Sequence, residues 1–313
     1  MSSNGKLPII KAAEAGFQFF GAHWKNVLLA AWPLILTNAI ASVIALQAFQ
    51  SGGGGVPLLI GVTGLILIGG LIVAAAFYRM ALRQDYSGLL HIQFGGDEAR
   101  YIGVNALLLL VLLFIAIPSV LAVTFVIVGI MTALGGDTEA ISAAASDPQA
   151  LGRVLGETLG PGGFLLLTAL VIGFCLFIFY FFTRLSLALP ATIAERRIQI
   201  FRTLGWTRGQ GWRMVAVFIL LILAFLLPDL VFGAIMTLVG VDTNVGNLVM
   251  AEQQTLHRAG LVTTVLGYTL FGLYNAAKAA VTSGVLAYMY QGLRSDPGPT
   301  SLAAAPPDEF SGP

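Results

Sequence analysis

Charge is what this sequence has least of. Charged side chains make up 10% of its 313 residues, against about 25% in a soluble domain, so most of its surface is built to face something other than water. Sixteen Lys and Arg against fifteen Asp and Glu leave a net charge of +1, which gives no reason to expect a nucleic-acid partner. Cysteine is nearly absent too. The single Cys175 lies in an apolar run, excludes an internal disulfide, and reads as a small buried hydrophobe. Three histidines are too few and too scattered for a metal centre. His91 precedes Asp97 and Glu98, but the spacing is not the H-E-x-x-H of a zinc helix, and His23 and His257 stand near the ends of apolar runs. No G-x-S-x-G elbow and no phosphate-binding loop is present, so neither metal nor cofactor is expected and an enzyme is not the favoured class. A cleavable signal peptide is not expected either: the first 25 residues alternate polar and apolar around Lys6, Lys11 and Lys25.

What the chain does have is long apolar runs. Hydrophobic residues make up 57% of it and the mean hydropathy is +0.88. A hydrocarbon layer roughly 30 Å thick needs about 20 apolar residues of helix to cross it. Six segments meet that need: Asn26–Phe49, Val56–Leu82, Ile102–Leu134, Gly163–Pro190, Met214–Gly240 and Val262–Tyr290. The fold predicted is an all-α integral membrane protein of six spans. Residues 1–25 form a cytoplasmic amphipathic helix in the membrane interface, 26–294 the spanning domain, and the Pro-, Ser- and Ala-rich 295–313 a disordered cytoplasmic tail. Pro118 inside the long third segment predicts a kink or a strong tilt.

The loops carry unequal charge. Thirteen Lys and Arg fall on the side holding both termini, and two, Arg153 and Arg258, on the other; Lys278 lies inside a span. Cations gather on the cytoplasmic side of membrane proteins, so both termini are placed there. The opposite loops are a glycine-rich turn at Gln50–Val56, an acidic, alanine-rich stretch at Gly135–Gly162 and a polar loop at Val241–Gly260.

A semi-polar segment precedes each pair of spans. In the first, Ile9, Ala13, Phe17, Phe20 and Trp24 recur at helical spacing; in the third, Ala194, Ile198, Phe201 and Gly205 do; the second, Tyr86–Arg100, is broken by Gly95–Gly96. Each enters its span through a glycine, three residues and a cation: Gly21 to Lys25, Gly96 to Arg100, Gly209 to Arg213. The pattern reads either as a threefold repeat of interfacial helix plus hairpin, or as the shared composition of any span entrance.

Two groups of residues carry chemistry. Asp229 lies 16 residues after Arg213, and Lys278 lies 16 residues before Arg294. At about 1.5 Å per residue both sit about 24 Å of helix from their cytoplasmic markers, so neighbouring helices can pair them. Pro228 frees a backbone carbonyl nearby, and Asn275 stands one turn from Lys278. The cluster reads as a proton relay or anionic-headgroup site, or as an ion pair that locks two helices. The second group is a cationic collar of Arg184, Arg196, Arg197, Arg202, Arg208 and Arg213 with Trp206 and Trp212 among them. Guanidinium matches phosphate bidentately and indole settles at the interface, so the collar reads as a headgroup site or as ordinary topology signal with aromatic anchors. Thr37, Asn38 and Asn105 read as hydrogen-bonding groups between helices, and Gly64, Gly69 and Gly70 as close-packing positions.

The stretch Arg184-Leu-Ser-Leu-Ala-Leu-Pro190, Ala194-Glu-Arg-Arg197, Phe201-Arg-Thr203 and Trp206-Thr-Arg-Gly-Gln-Gly-Trp-Arg213 resembles a group of uncharacterised bacterial membrane proteins related to the membrane domain of glycerophosphodiester phosphodiesterases. The resemblance covers mainly residues 163–240. It implies a six-span helical fold without the catalytic barrel, whose acidic metal-binding motif does not occur here, so the phosphodiesterase reaction is not carried over. Together with Arg-over-Lys usage it points to a bacterial inner membrane. Three functions follow as expectations: a non-enzymatic protein that binds or organises lipid or supports an envelope partner, itself a membrane protein or a second copy of the chain; a transporter or channel for a small solute, proton or lipid that uses Asp229 and Lys278; and a lipid-headgroup enzyme built on His91, Asp97 and Glu98.

Overall fold

The computed structural model describes residues 7–50, 56–133, 148–239 and 261–294. The expectations for 1–6 of the N-terminal helix, for 51–55, for 134–147, for 240–260 with the polar loop and for the tail 295–313 lie outside those residues. Among the described residues the order is α1 (Ile9–Ala30), α2 (Trp32–Gln50), α3 (Val56–Arg83), α4 (Gly96–Ala133), α5 (Pro148–Leu185), α6 (Ala188–Glu195), α7 (Arg202–Trp206), α8 (Gly211–Leu238) and α9 (Leu261–Leu293). The class is all-helical, with one isolated antiparallel bridge between Leu89 and Ile92 among the described residues. Four helical stretches there are long and apolar enough to cross a membrane: Ile60–Arg83, Gly96–Val126, Leu159–Glu195 and Gly211–Leu238. The pair α1 and α2, bent by 51°, makes a fifth if it is one span. The 33-residue α9 is long enough but more polar, carrying Tyr268, Tyr274, Asn275 and Lys278.

Several boundaries differ from expectation for local reasons. The interfacial helix of residues 1–25 does not stop before the first span; α1 runs on to Ala30, with a kink at His23 (φ −119°, ψ 17°). The real break comes at Ala31, because Pro33 has no N–H to donate to the Leu29 carbonyl. Residues 84–95 are not helical, and α4 starts at Gly96. The third amphipathic segment is likewise not one helix. Arg196 takes a left-handed conformation (φ 56°) that ends α6, and α7 is a separate five-residue turn. Pro190 does not close the fourth span; it sits buried in the first turn of α6, where its missing donor costs nothing. Helix α4 passes unbroken through Pro118, and the stretch 148–159, expected as part of a loop, is already helical within α5, whose break falls at Gly160 (φ 64°).

The chain forms two units, Met1–Asn105 with Arg184–Pro313, and Ala106–Thr183. In the first, α1 packs on α9, and α9 also packs on α2 and α3. The α1–α9 seam is made of small residues. A Cβ added at Gly16 would run into the carbonyl oxygen of Val281, and one at Gly284 would lie 3.0 Å from the Gly16 Cα. Lipid tails are as apolar as leucine, so helices in a bilayer gain by backbone approach more than by burying large side chains. Accordingly Ala12 and Gly16 face inward while Ile10, Phe17 and Trp24, spaced by seven, are exposed. Gly69 abuts Thr37 of α2, whereas Gly64 faces open space. The hydrogen bonds of Thr37 and Asn38 go to the Leu34 carbonyl within α2, and that of Asn105 to the Tyr101 carbonyl within α4; carbonyls three or four residues back satisfy them locally rather than across helices. In the second unit Phe114, Phe125, Leu165 and Leu166 point outward. Cys175 does too, which corrects its reading as a buried group: it lies on an outward face of α5.

Candidate functional site

Asp229 and Lys278 meet. One lies immediately after Pro228 in α8, the other midway along α9, and the Lys278 ammonium donates to both carboxylate oxygens of Asp229, at 2.7 and 2.8 Å. The Tyr274 hydroxyl, one turn before Lys278, donates to Asp229 Oδ1 at 2.6 Å. Aromatic faces complete the enclosure. The ammonium stands 5.4 Å from the ring centres of both Phe225 and Tyr274, and Tyr274 stacks on Phe232 at 4.6 Å with 9° between planes. Asn275 is not part of the cluster, because its amide donates to the Phe271 carbonyl of its own helix at 3.0 Å. Tyr274 takes its place. The signal was in the spacing: a residue four before Lys278 shares its face of the helix more closely than one three before. The pair keeps an exposed edge, with 30% of the Lys278 side chain and 42% of that of Asp229 uncovered. Chemically it is a charge pair with a phenol donor, held between apolar walls.

The collar separates into three kinds of arginine. Arg184 and Arg213 turn inward as clamps. Arg184, at the end of α5, donates from Nε to the Thr207 hydroxyl at 2.8 Å and from Nη2 to the Leu204 carbonyl at 2.6 Å, fixing α7. Arg213, in the first turn of α8, donates to the Leu7 carbonyl at 3.0 Å, while the Leu7 N–H donates to Gln210. Arg197 and Arg202 gather about Glu195, the last residue of α6, whose side chain is 6% exposed, at 3.6 and 4.0 Å. Glu195 also accepts from the Tyr290 hydroxyl at 3.0 Å and from the Gln199 amide. Arg202 lies over the Trp206 ring, which meets Tyr290 edge-on. Arg196 and Arg208 point outward. Around them Phe201 and Trp212 are each 68% exposed. Part of the collar is therefore structural, and part presents guanidinium and aromatic groups together, the combination that recognises phosphate at a membrane surface.

A third cluster gathers His91, Asp97 and Glu98 near Arg79, a hub that the sequence does not reveal. Arg79, near the end of α3, is fully buried; its Nη2 stands 3.1 Å from Glu98 and donates to the His91 carbonyl at 3.2 Å, and its Nη1 lies 3.7 Å from Asp85. Glu98 accepts from the Gly95 N–H at 3.1 Å, half of a capping box for α4. Asp97 is held by Arg83 at 2.6 Å and Arg100 at 3.0 Å. His91 Nδ1 donates to the Tyr86 carbonyl at 2.6 Å, and the Tyr86 hydroxyl shares a hydrogen bond with His23. The Ser87 hydroxyl donates to Asp85 and holds its carboxyl below the usual range, with Arg79 and Arg83 adding to the effect. The three residues of the headgroup-enzyme reading are thus engaged in tying 84–95 to α3 and α4. Among the described residues no group of His, Cys, Asp and Glu is arranged to hold a metal ion.

Comparison with family models, with curated proteins and with solved structures finds no match to this chain.

Proposed function

We propose that this chain is a six-span protein of the bacterial inner membrane, with both termini cytoplasmic, that binds or organises anionic lipid without catalysing a reaction on it. The observation that carries the reading is the exposed part of the collar: Arg196, Arg197, Arg202 and Arg208 around exposed Phe201 on the connection between α5 and α8, with exposed Trp212 in the first turn of α8. The inward arginines hold that connection in shape, Arg197 and Arg202 also pair with Glu195, and the Arg196 and Arg208 side chains point outward without a folding contact among the described residues. The charge count places this face on the cytoplasmic side, and α9 with the bent α1–α2 pair supplies the fifth and sixth crossings. The resemblance over residues 163–240 supports the same reading. The test is native mass spectrometry of the protein from nanodiscs of mixed phosphatidylglycerol and phosphatidylcholine. Retained phosphatidylglycerol that is lost when Arg196 and Arg208, the two outward arginines, become glutamine supports it; no preference for the anionic lipid, or one unmoved by the substitutions, ends it.

A second reading is favoured by the exposed edge of the Asp229–Lys278 pair. An ion pair within apolar helices, open on one side, suits the wall of a path for a small solute or proton. Uptake into proteoliposomes that is lost in Asp229→Asn while the fold persists would favour it; leak rates equal to those of empty vesicles would remove it. An envelope partner or a second copy of the chain is a further use of the same surfaces.

A further inference from the structure

We propose that residues 84–95 are a membrane-seated anchor, a rigid hairpin that sets Leu89, Leu90 and Phe94 into the headgroup–acyl boundary of the cytoplasmic leaflet. The hairpin joins α3 to α4, each with a stretch long and apolar enough to cross a bilayer, so it starts and ends at a membrane surface. It does not project from that surface but folds back along α3. Arg79, whose guanidinium donates to the His91 carbonyl, is rooted one turn, about 6 Å of helix, before the end of α3 at Arg83. Ile92 is buried in one cluster with Val27, Phe77 and Met80. The hairpin therefore lies at the depth of the last turns of α3.

Its tip is strained. Leu89 and Ile92 pair, the Ile92 N–H donates to the Leu89 carbonyl at 3.0 Å, and both residues between them have positive φ, 49° at Leu90 and 68° at His91. That two-residue turn suits Asn-Gly, and a leucine there costs on the order of 1 kcal/mol. Bonds on every side hold the strained form: Arg79 to the His91 carbonyl, His91 to the Tyr86 carbonyl, Tyr86 to His23, and the Ser87 N–H to Asp85 at 3.0 Å. Beside the exposed polar Gln84 and Ser87, this rigid frame presents three large apolar side chains: Leu89 is 72% exposed, Phe94 74%, and Leu90 lies between them in sequence. The occupant that fits is lipid. The Tyr86–His23 bond puts the hairpin beside Trp24 and Lys25 of α1, and Lys25 lies over the Trp24 ring at 5.7 Å. An exposed indole with an adjacent cation is an interfacial marker, and the hairpin continues it around the unit.

The inference rests on α3 and α4 crossing the membrane, and is independent of the arginine collar. Its test is nitroxide power saturation in phospholipid bilayers, in a Cys175→Ala background, with labels at Leu90→Cys, Phe94→Cys, Gln93→Cys and, mid-span, Leu67→Cys. At 90 and 94 oxygen should relax the label severalfold more effectively than a water-soluble nickel chelate, with the reverse at 93. If 90 and 94 are open to the nickel chelate while 67 is not, the hairpin is in water and the proposal fails with the spans intact. If 67 is open as well, the spanning reading fails first. Labels at 90 and 94 closed to both reagents mean a protein contact, which also overturns the proposal. Leu90→Asn is the second variant. It suits the positive φ, so it should fold at least as stably while moving a label at 94 toward water; a label that stays at its depth would overturn the role of Leu90.

Discussion

Lys278 reaches from α9 to α8 and takes both oxygens of the Asp229 carboxylate, so each of these two charges is the other's remedy for an apolar setting. Asp229→Asn or Lys278→Met leaves its partner unpaired and should lower stability in bilayers by about 2.5 kcal/mol, the milder estimate for a lone charge at mid-helix. The double variant should recover most of that loss. Chemical denaturation of the purified proteins in mixed micelles measures both. A double variant as weak as the singles would mean that the pair does more than neutralise itself.

Within the same cluster Tyr274 and Asn275 should behave differently. Tyr274→Phe removes one donor to Asp229 but keeps the stack on Phe232, and should cost about 1 kcal/mol. Asn275→Ala breaks a bond within its own helix and should cost less. Thermal melts in detergent rank the two, and the opposite order would put Asn275 back in the cluster.

The seam between α1 and α9 should tolerate no side chain. Gly16→Ala places a methyl group against the Val281 carbonyl, part of the backbone and unable to swing aside, and should cost about 1–3 kcal/mol. Gly21→Ala is the control, since a Cβ there meets nothing within 4 Å. Equal melting temperatures for the two variants would contradict the packing.

The inward and the outward arginines should part under substitution. Arg184→Gln frees the Thr207 hydroxyl and the Leu204 carbonyl and should make the connection around α7 sensitive to limited proteolysis. Arg208→Gln should leave proteolysis unchanged and lower the anionic lipid retained. Matching digestion patterns for both would show that Arg184 clamps nothing.

Asp85 should give the hairpin an acid limit. Its carboxyl titrates below the ordinary value, so its contribution is complete above the unfolded carboxylate range, about pH 4, and fades as pH falls through the lower folded value. A spin label at Gln93→Cys should be immobile at neutral pH and gain mobility only under strong acid. Asp85→Asn should make that mobility independent of pH.

How far the sequence could be read depends on whether a feature is periodic or positional. The pairing of Asp229 with Lys278 was legible because helix rise turns sequence distance into depth, and two equal depths imply a meeting. Tyr274 was within reach of the same logic. The role of Arg79 was not: a positive-inside count treats every cation at a helix end alike, and only the fold-back of 84–95 turns this one into a buried hub. The left-handed Arg196 that splits the third amphipathic segment was equally hidden, because the spacing of Ala194, Ile198, Phe201 and Gly205 stays helical even where the backbone does not. The close approach of Gly16 to Gly284 joins positions at opposite ends of the described chain, beyond any local window.

That last contact has a bearing on how the protein comes to exist. Helices enter a membrane in the order of their synthesis, yet the groove on α1 that holds Gly16 is filled by the last described helix, and Arg213 closes over Leu7 across 206 residues. During translation α1 therefore waits with its glycine face against lipid or a chaperone. The larger unit closes only when α9 arrives, since the last described helix supplies the partner of that face.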